Sequence, residues 1–311
     1  MSEPELARIG HVALETADLD ASLAFFVDAV GFEEVEREDG TVYLRAVDEF
    51  DHHSVSLTEA ERAGVDHIGW QTRNPEDLEA YAELLETEEG LDVTWVDAGE
   101  EAGQGEAIRF STPHGHPFEF YHEMEKPDPP AERRSKLKNK TYSRTTTNAV
   151  APRRIDHVQI WDADAPGCAE WLQETLDFRV QEYYDREDGS RWGTFVSANG
   201  NKIEAAVIDD EAEQPPGLHH IAYKVDSADD LFDAADAMNE RGVPTDGIGQ
   251  HSISRGKFLY TRDEESGHRI EFNAGGYLVF DPNWEPIAWQ EGDLDDRQWI
   301  GQIESTDRVQ Y

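Results

Sequence analysis

A short segment opening on histidine recurs four times: His11-Val-Ala-Leu-Glu-Thr, His67-Ile-Gly-Trp-Gln-Thr, His157-Val-Gln-Ile-Trp-Asp and, within 217–225, Gly-Leu-His-His-Ile-Ala-Tyr-Lys-Val. In every copy the histidine leads into a short apolar strand pattern and then an acidic stretch with helical spacing. Four copies of one unit make the chain modular, so the unit has to be folded before the whole.

The first unit, 8–57, reads as a strand at 9–14 and a helix opened by Asp18 or Asp20. That helix runs through Phe25, Phe26 and Val30 to Gly31, a residue suited to a helix C-terminus. Strands at 33–37, 41–47 and 53–57 follow, and Asp39-Gly40 marks a hairpin turn, which gives the order βαβββ. The second unit, 65–122, repeats it with a strand at 66–72 and a helix from Asn74-Pro75. Strands at 93–96, 107–111 and 117–121 close it, with His114-Gly115-His116 in the last turn. A third unit, 154–208, carries Cys168, Trp171, Leu172 and Leu176 at helical spacing. A fourth, 218–277, has a helix at 228–241 and ends on His268-Arg-Ile-Glu-Phe, the counterpart of His116-Pro-Phe-Glu-Phe. The expected architecture is α+β: four βαβββ modules paired into two domains, 1–125 and 154–311. The linker, 126–153, holds Pro127, Pro129 and Pro130 and a basic run from Arg133 to Lys140, expected to lie on acidic surface. A Trp- and Asp-rich tail follows Gly275-Gly276.

Sixty-eight acidic residues against 27 basic ones leave a net charge of −41, which excludes nucleic-acid phosphate as a partner class. Only seven of those 27 are lysine; a dense acidic, lysine-poor surface is that of a salt-adapted protein, haloarchaeal in type. Aromatic content of 10% and regular apolar periodicity argue against disorder. The single cysteine, Cys168, excludes an internal disulfide and reads as packing. No apolar run is long enough to span a bilayer, so a cytoplasmic location and no membrane partner are expected.

The repeat puts a histidine on each first strand and a glutamate, Glu119 or Glu271, on each pair's last strand. In the second half this collects His157, His220 and Glu271. Two neutral imidazoles and one carboxylate can occupy one face of a metal and leave the other open, an arrangement suited to non-haem Fe(II), with Mn(II) as competitor. His220 is preferred to His219 because it shares the frame of His157.

Paired βαβββ units with this ligand set resemble the vicinal oxygen chelate superfamily, a glyoxalase-like fold in which each pair forms a curved, partly open mixed β-barrel with outer helices. More closely, the chain resembles type I extradiol ring-cleaving dioxygenases of the catechol 2,3-dioxygenase kind. The run from Gly217-Leu-His-His-Ile-Ala-Tyr through His251-Ser-Ile-Ser-Arg-Gly-Lys-Phe-Leu-Tyr to Ser266-Gly-His-Arg-Ile-Glu-Phe carries that resemblance. It implies Fe(II) held by His157, His220 and Glu271, and catecholate contacts from His251 and Tyr260. It also implies a homo-oligomer, a homotetramer in the family, and oxidative opening of catechol or a substituted catechol by dioxygen to a semialdehyde. The first half, with His11, His67 and Glu119, is implied to be metal-free, and Arg109 stands where the second half has Tyr260.

One departure stands out. The family's acid–base histidine falls on Ile203, which leaves that role to another group, His219 or water. This loss favours a non-catalytic aromatic-ligand binder, whereas the retained set of five site residues favours the enzyme. Same-fold rivals are a hydroquinone dioxygenase and a glyoxalase-type metalloenzyme; the latter prefers a second glutamate ligand.

Overall fold

The computed structural model describes residues 4–127, 149–209 and 214–290, with short pieces at 131, 134–135, 138–141, 292–293 and 309–310. In the first half, β1 (Leu6–Thr16), α1 (Leu19–Leu23), β2 (Glu33–Glu38), β3 (Thr41–Arg45) and β4 (Val55–Glu59) form one module. The next holds β5 (Gly64–Thr72), α2 (Pro75–Thr87), β6 (Thr94–Val96), β7 (Ala107–Ser111) and β8 (Pro117–Tyr121). Their strands make one mixed sheet in the order β2-β3-β4-β1-β5-β8-β7-β6. The histidine-bearing strands β1 and β5 lie antiparallel at its centre, each with its own module's last strand parallel on the outer side.

Two short strands, β9 (Arg134–Ser135) and β10 (Lys138–Thr141), pair in the connector. The seating of the connector's basic side chains lies outside the described residues. The second half repeats the plan with β11 (Arg154–Asp162), α3 (Ala165–Leu176), β12 (Arg179–Asp185), β13 (Arg191–Ser197) and β14 (Ala205–Asp209). Then come β15 (Gly217–Lys224), α4 (Asp229–Arg241), β16 (Thr245–Gln250), β17 (Gly256–Arg262) and β18 (Arg269–Gly275). The sheet order is β16-β17-β18-β15-β11-β14-β13-β12, extended by β19 (Ile287–Gln290) beside β12, while β20 (Val309–Gln310) pairs β15. Both are open mixed sheets with outer helices, as expected of paired βαβββ modules.

Two local expectations shift. The first helix is α-helical only through Leu23; residues 24–30 continue as a π-helical turn that ends at Gly31 in the left-handed region. Asp18 caps it by accepting from Ala21 N at 3.0 Å. The strand expected at 53–57 begins two residues later, because the parallel register sets Val55 opposite Val12 and leaves His53 on the preceding loop.

One apolar core runs through both halves. The Trp70 ring meets Phe178 edge-on at 5.0 Å, and Phe32 meets Tyr223 at 4.6 Å. The last-strand turns dock reciprocally: His116 Nε2 lies 3.0 Å from Asp162, and His268 Nε2 lies 2.7 Å from the Glu15 carbonyl oxygen. Cys168 is a buried free thiol in α3. No helix among the described residues is long and apolar enough to cross a membrane. Because Trp70 is fully buried on the contact between halves, Trp70→Ala is expected to lower unfolding free energy by about 3–5 kcal/mol, read as a lower denaturation midpoint.

Candidate metal centre and substrate cavity

Sheet register builds the centre. Across β11, β15, β18 and β17, the chain pairs His157 with Ala222, Ala222 with Glu271, and Glu271 with Tyr260. Alternation along β15 puts His220, two residues before Ala222, on the same face. The three donors therefore converge. His220 Nε2 lies 2.8 Å from Glu271 Oε2, and His157 Nε2 lies 3.4 Å from both that oxygen and His220 Nε2. Donors at that spacing fit one face of an ion with bonds of about 2.0–2.2 Å, whose neighbouring ligands stand about 3 Å apart.

The surroundings fix each donor. Asp156 Oδ2 lies 3.1 Å from His157 Nδ1, so the imidazole presents Nε2 inward. Asn273 Nδ2 donates to Glu271 Oε1 at 2.8 Å, and Lys224 Nζ donates to Asn273 Oδ1 at 2.8 Å. Burial alone would lower the His157 pKa, but hydrogen bonds to Asp156 and Glu271 outweigh it and bring it to about 9. Burial lowers His220 to about 4. Burial would raise the Glu271 carboxyl, yet bonds from both histidines hold it well below the usual carboxylate range. Asp156 and Asn273 are absent from the sequence reading. Asp156 had a signal there, because an aspartate precedes the histidine at both 66–67 and 156–157.

The donors line a cavity of about 700 Å³. His251 and Tyr260 also line it, with His251 Nε2 3.2 Å from the Tyr260 hydroxyl. Burial lowers the His251 pKa and raises that of Tyr260 well above its ordinary value. His251 stacks on Phe258 at 4.1 Å, which fixes the ring plane. Trp192, Phe195, Ile203, Ala206 and Ile208 supply an apolar wall. Ile203 is thus on the cavity surface, and the imidazoles lining it are His157, His220 and His251. His219 does not take the place left by the missing histidine. It is the extra residue of the β-bulge between Leu218 and His220, packs on Trp161 at 5.6 Å, and puts Nδ1 2.7 Å from His220 Nδ1.

The tail closes one side. Glu182 is buried and accepts from Ser254 N at 2.8 Å, from the Tyr277 hydroxyl and from Trp289 Nε1, tying the loop after His251 to the tail. In the first half, His11, His67 and Glu119 likewise converge, joined by Glu101, which the sequence did not single out. Arg109 pairs with Glu119 in the register that joins Tyr260 to Glu271.

Residues 154–272 match the Glyoxalase/Bleomycin resistance protein/Dioxygenase superfamily, and residues 65–125 match the catechol 2,3-dioxygenase-like N-terminal domain. The chain is 45% identical over 300 residues to the manganese-dependent 2,3-dihydroxybiphenyl 1,2-dioxygenase of Geobacillus genomosp. 3, covering 96% of this chain and 94% of that protein. It is 33% identical to the metapyrocatechase of Geobacillus stearothermophilus, over 96% of this chain and 90% of the other. The crystal structure of homoprotocatechuate 2,3-dioxygenase from Arthrobacter globiformis superposes with a TM-score of 0.83 at 26% identity, covering 94% of this chain and 86% of that one. The fold is that of the vicinal oxygen chelate superfamily. Within it the chain belongs to the type I extradiol ring-cleaving dioxygenases, enzymes that open catechol rings with dioxygen.

Proposed function

We propose that the chain cleaves catechols bearing an apolar substituent, using Fe(II), with Mn(II) as the competing ion, and releases a ring-opened product, a semialdehyde where the cleaved carbon carries hydrogen and a ketone where it carries the substituent. The observation that carries this is the continuous series of Tyr260, Glu271, Ala222 and His157 across four strands, with His220 on the same face. His157, His220 and Glu271 are the proposed ligands of the ion. When bound, it supplies Lewis acidity toward both catechol oxygens and an electronic path from the ring to dioxygen.

The remaining chemistry falls to the protein. Tyr260, its phenol kept protonated by burial, donates a hydrogen bond to a catecholate oxygen. Neutral His251 takes a proton at Nε2 as the catechol binds and returns it to the opening ring. With Ile203 at the family's acid–base position, His251 is the imidazole left for this task besides the ligand pair. Asp156 and Asn273 hold the ligands in orientation, so Asp156→Asn is expected to weaken metal affinity about 10–100-fold, read by titration of the stripped protein.

The apolar wall and a cavity of about 700 Å³ fit a substrate larger than one ring, and the relative that is 45% identical is named for 2,3-dihydroxybiphenyl. A second reading, a carboxylate-bearing catechol, is favoured by Arg154, Lys202 and Lys224 on the cavity surface. Lys224 is already bonded to Asn273, and Lys202 Nζ lies 3.4 Å from Asp156, which weighs against it. The test is stripped protein reloaded with Fe(II) or Mn(II) at molar salt, where the −41 charge is screened. It should give the yellow product faster with 2,3-dihydroxybiphenyl than with 3,4-dihydroxyphenylacetate. No product from any catechol, with the ion shown bound, would sink the reading.

We further assign catalysis to 154–311, the first domain to 1–125 and the linker to 126–153. A salt-adapted, cytoplasmic homo-oligomer is the form proposed to work.

A further inference from the structure

We propose that the first half holds its own divalent metal ion, of the Zn(II) type, in a closed four-ligand site made by His11, His67, Glu101 and Glu119. The inference is independent of the reaction assigned to the second half, and departs from the metal-free half that the family resemblance implies.

The site arises from the same register. Glu119 pairs with Gly69 and Gly69 with His11, while His67 stands two residues before Gly69 on one face of β5. The His11 ring lies over Gly69, where a Cβ would come within 2.2 Å of it, so the absent side chain admits the imidazole. His11 Nε2 lies 2.9 Å from His67 Nε2, 3.6 Å from Glu101 Oε1 and 3.5 Å from Glu119 Oε1. His67 Nε2 lies 3.4 Å from Glu101 Oε2 and 3.6 Å from Glu119 Oε1. Tetrahedral bonds of about 2.0–2.1 Å set ligand atoms about 3.3–3.4 Å apart, and these separations cluster around that edge.

Glu101 makes the difference between the halves. It comes from the loop between β6 and β7, whose counterpart after β16 carries His251 and adds no member to the cluster of His157, His220 and Glu271. All four residues are buried, with Glu101 at 6% exposure the most open. Such closure is the mark of a structural rather than a catalytic ion. Asp66 Oδ2, 2.6 Å from His67 Nδ1, turns Nε2 inward, as Asp156 does for His157. Arg109 sits outside the ligands: its Nε donates to Glu119 Oε2 at 2.6 Å and its Nη2 to Glu101 Oε2 at 3.0 Å. His53 Nε2, 3.0 Å from Glu101 Oε1, and Gln104 Nε2, donating to Glu119 Oε1 at 2.7 Å, complete the surround.

Protein stripped by a strong chelator, reloaded with Zn(II) and desalted in molar salt is expected to carry two ions per chain. His220→Ala should carry one, and His220→Ala with Glu101→Gln none. Reloading His220→Ala with Co(II) should give the intense visible bands of four-coordinate cobalt. One ion in the wild type and none in His220→Ala would overturn the site, leaving Arg109 and a protonated His67 as the cations facing the two glutamates. Those two counts decide the matter even if the double variant fails to fold. A wild type with two ions but no ring cleavage would support this site while defeating the proposed function.

Discussion

His220→Ala is expected to empty the second half's metal centre and to reduce ring cleavage by roughly 10³-fold or more, since several kcal/mol of transition-state stabilisation leave with the ion. The variant removes the donor 2.8 Å from Glu271 Oε2 and leaves a buried carboxylate facing one imidazole and no ion. Two donors from β11 and β18 remain, too few to define a metal face. The apolar wall from β13 and β14 is left in place by the substitution, so a non-reacting biaryl should bind within about threefold of its wild-type affinity. That contrast separates an enzyme from an aromatic-ligand binder. Ion analysis, product formation and fluorescence quenching by the biaryl read the three quantities. An ion count and a turnover unchanged from wild type in His220→Ala would dismiss His220 as a ligand.

The histidine frame was legible because strand alternation and module repetition are local properties. His157, His220 and Glu271 each sit at a fixed offset within their own strand, and the structure brings all three together. Paired βαβββ modules were legible for the same reason. Most of what escaped depends on partners distant in sequence. Glu101 enters the first cluster from a loop, about 90 residues after His11, with no periodicity to mark it. Asn273 supports Glu271 from two residues along the same strand; the offset is local, but the first half has Tyr121 two residues after Glu119, so the repeat did not mark it. Between His219 and His220 the difference is a bulge at His219, which leaves His220 on the cavity surface and His219 off it. The tail could be seen as Trp-rich, but its addition to β12 and its bonds to Glu182 are tertiary facts.

His251→Phe should lower kcat by roughly 10²–10⁴-fold, the usual worth of a positioned acid–base group, while KM and metal content change little. Phenylalanine keeps the volume and the 4.1 Å stack on Phe258, so a loss cannot be assigned to collapse of the loop. Tyr260→Phe removes one donor to a charged oxygen, worth about 1.5–3 kcal/mol, or roughly 10–100-fold, and so ranks second. The pH profile identifies which group acts. Burial lowers the His251 pKa below its ordinary 6.5, so the neutral base form persists at pH 7 and charges only as pH falls further. Activity that needs the neutral ring is therefore full at neutral pH and declines on an acid limb below 6.5. In His251→Phe that limb should vanish from the residual rate, whereas in Tyr260→Phe it should remain. A kcat within about threefold of wild type in His251→Phe would return proton transfer to solvent and leave His251 as a wall of the cavity.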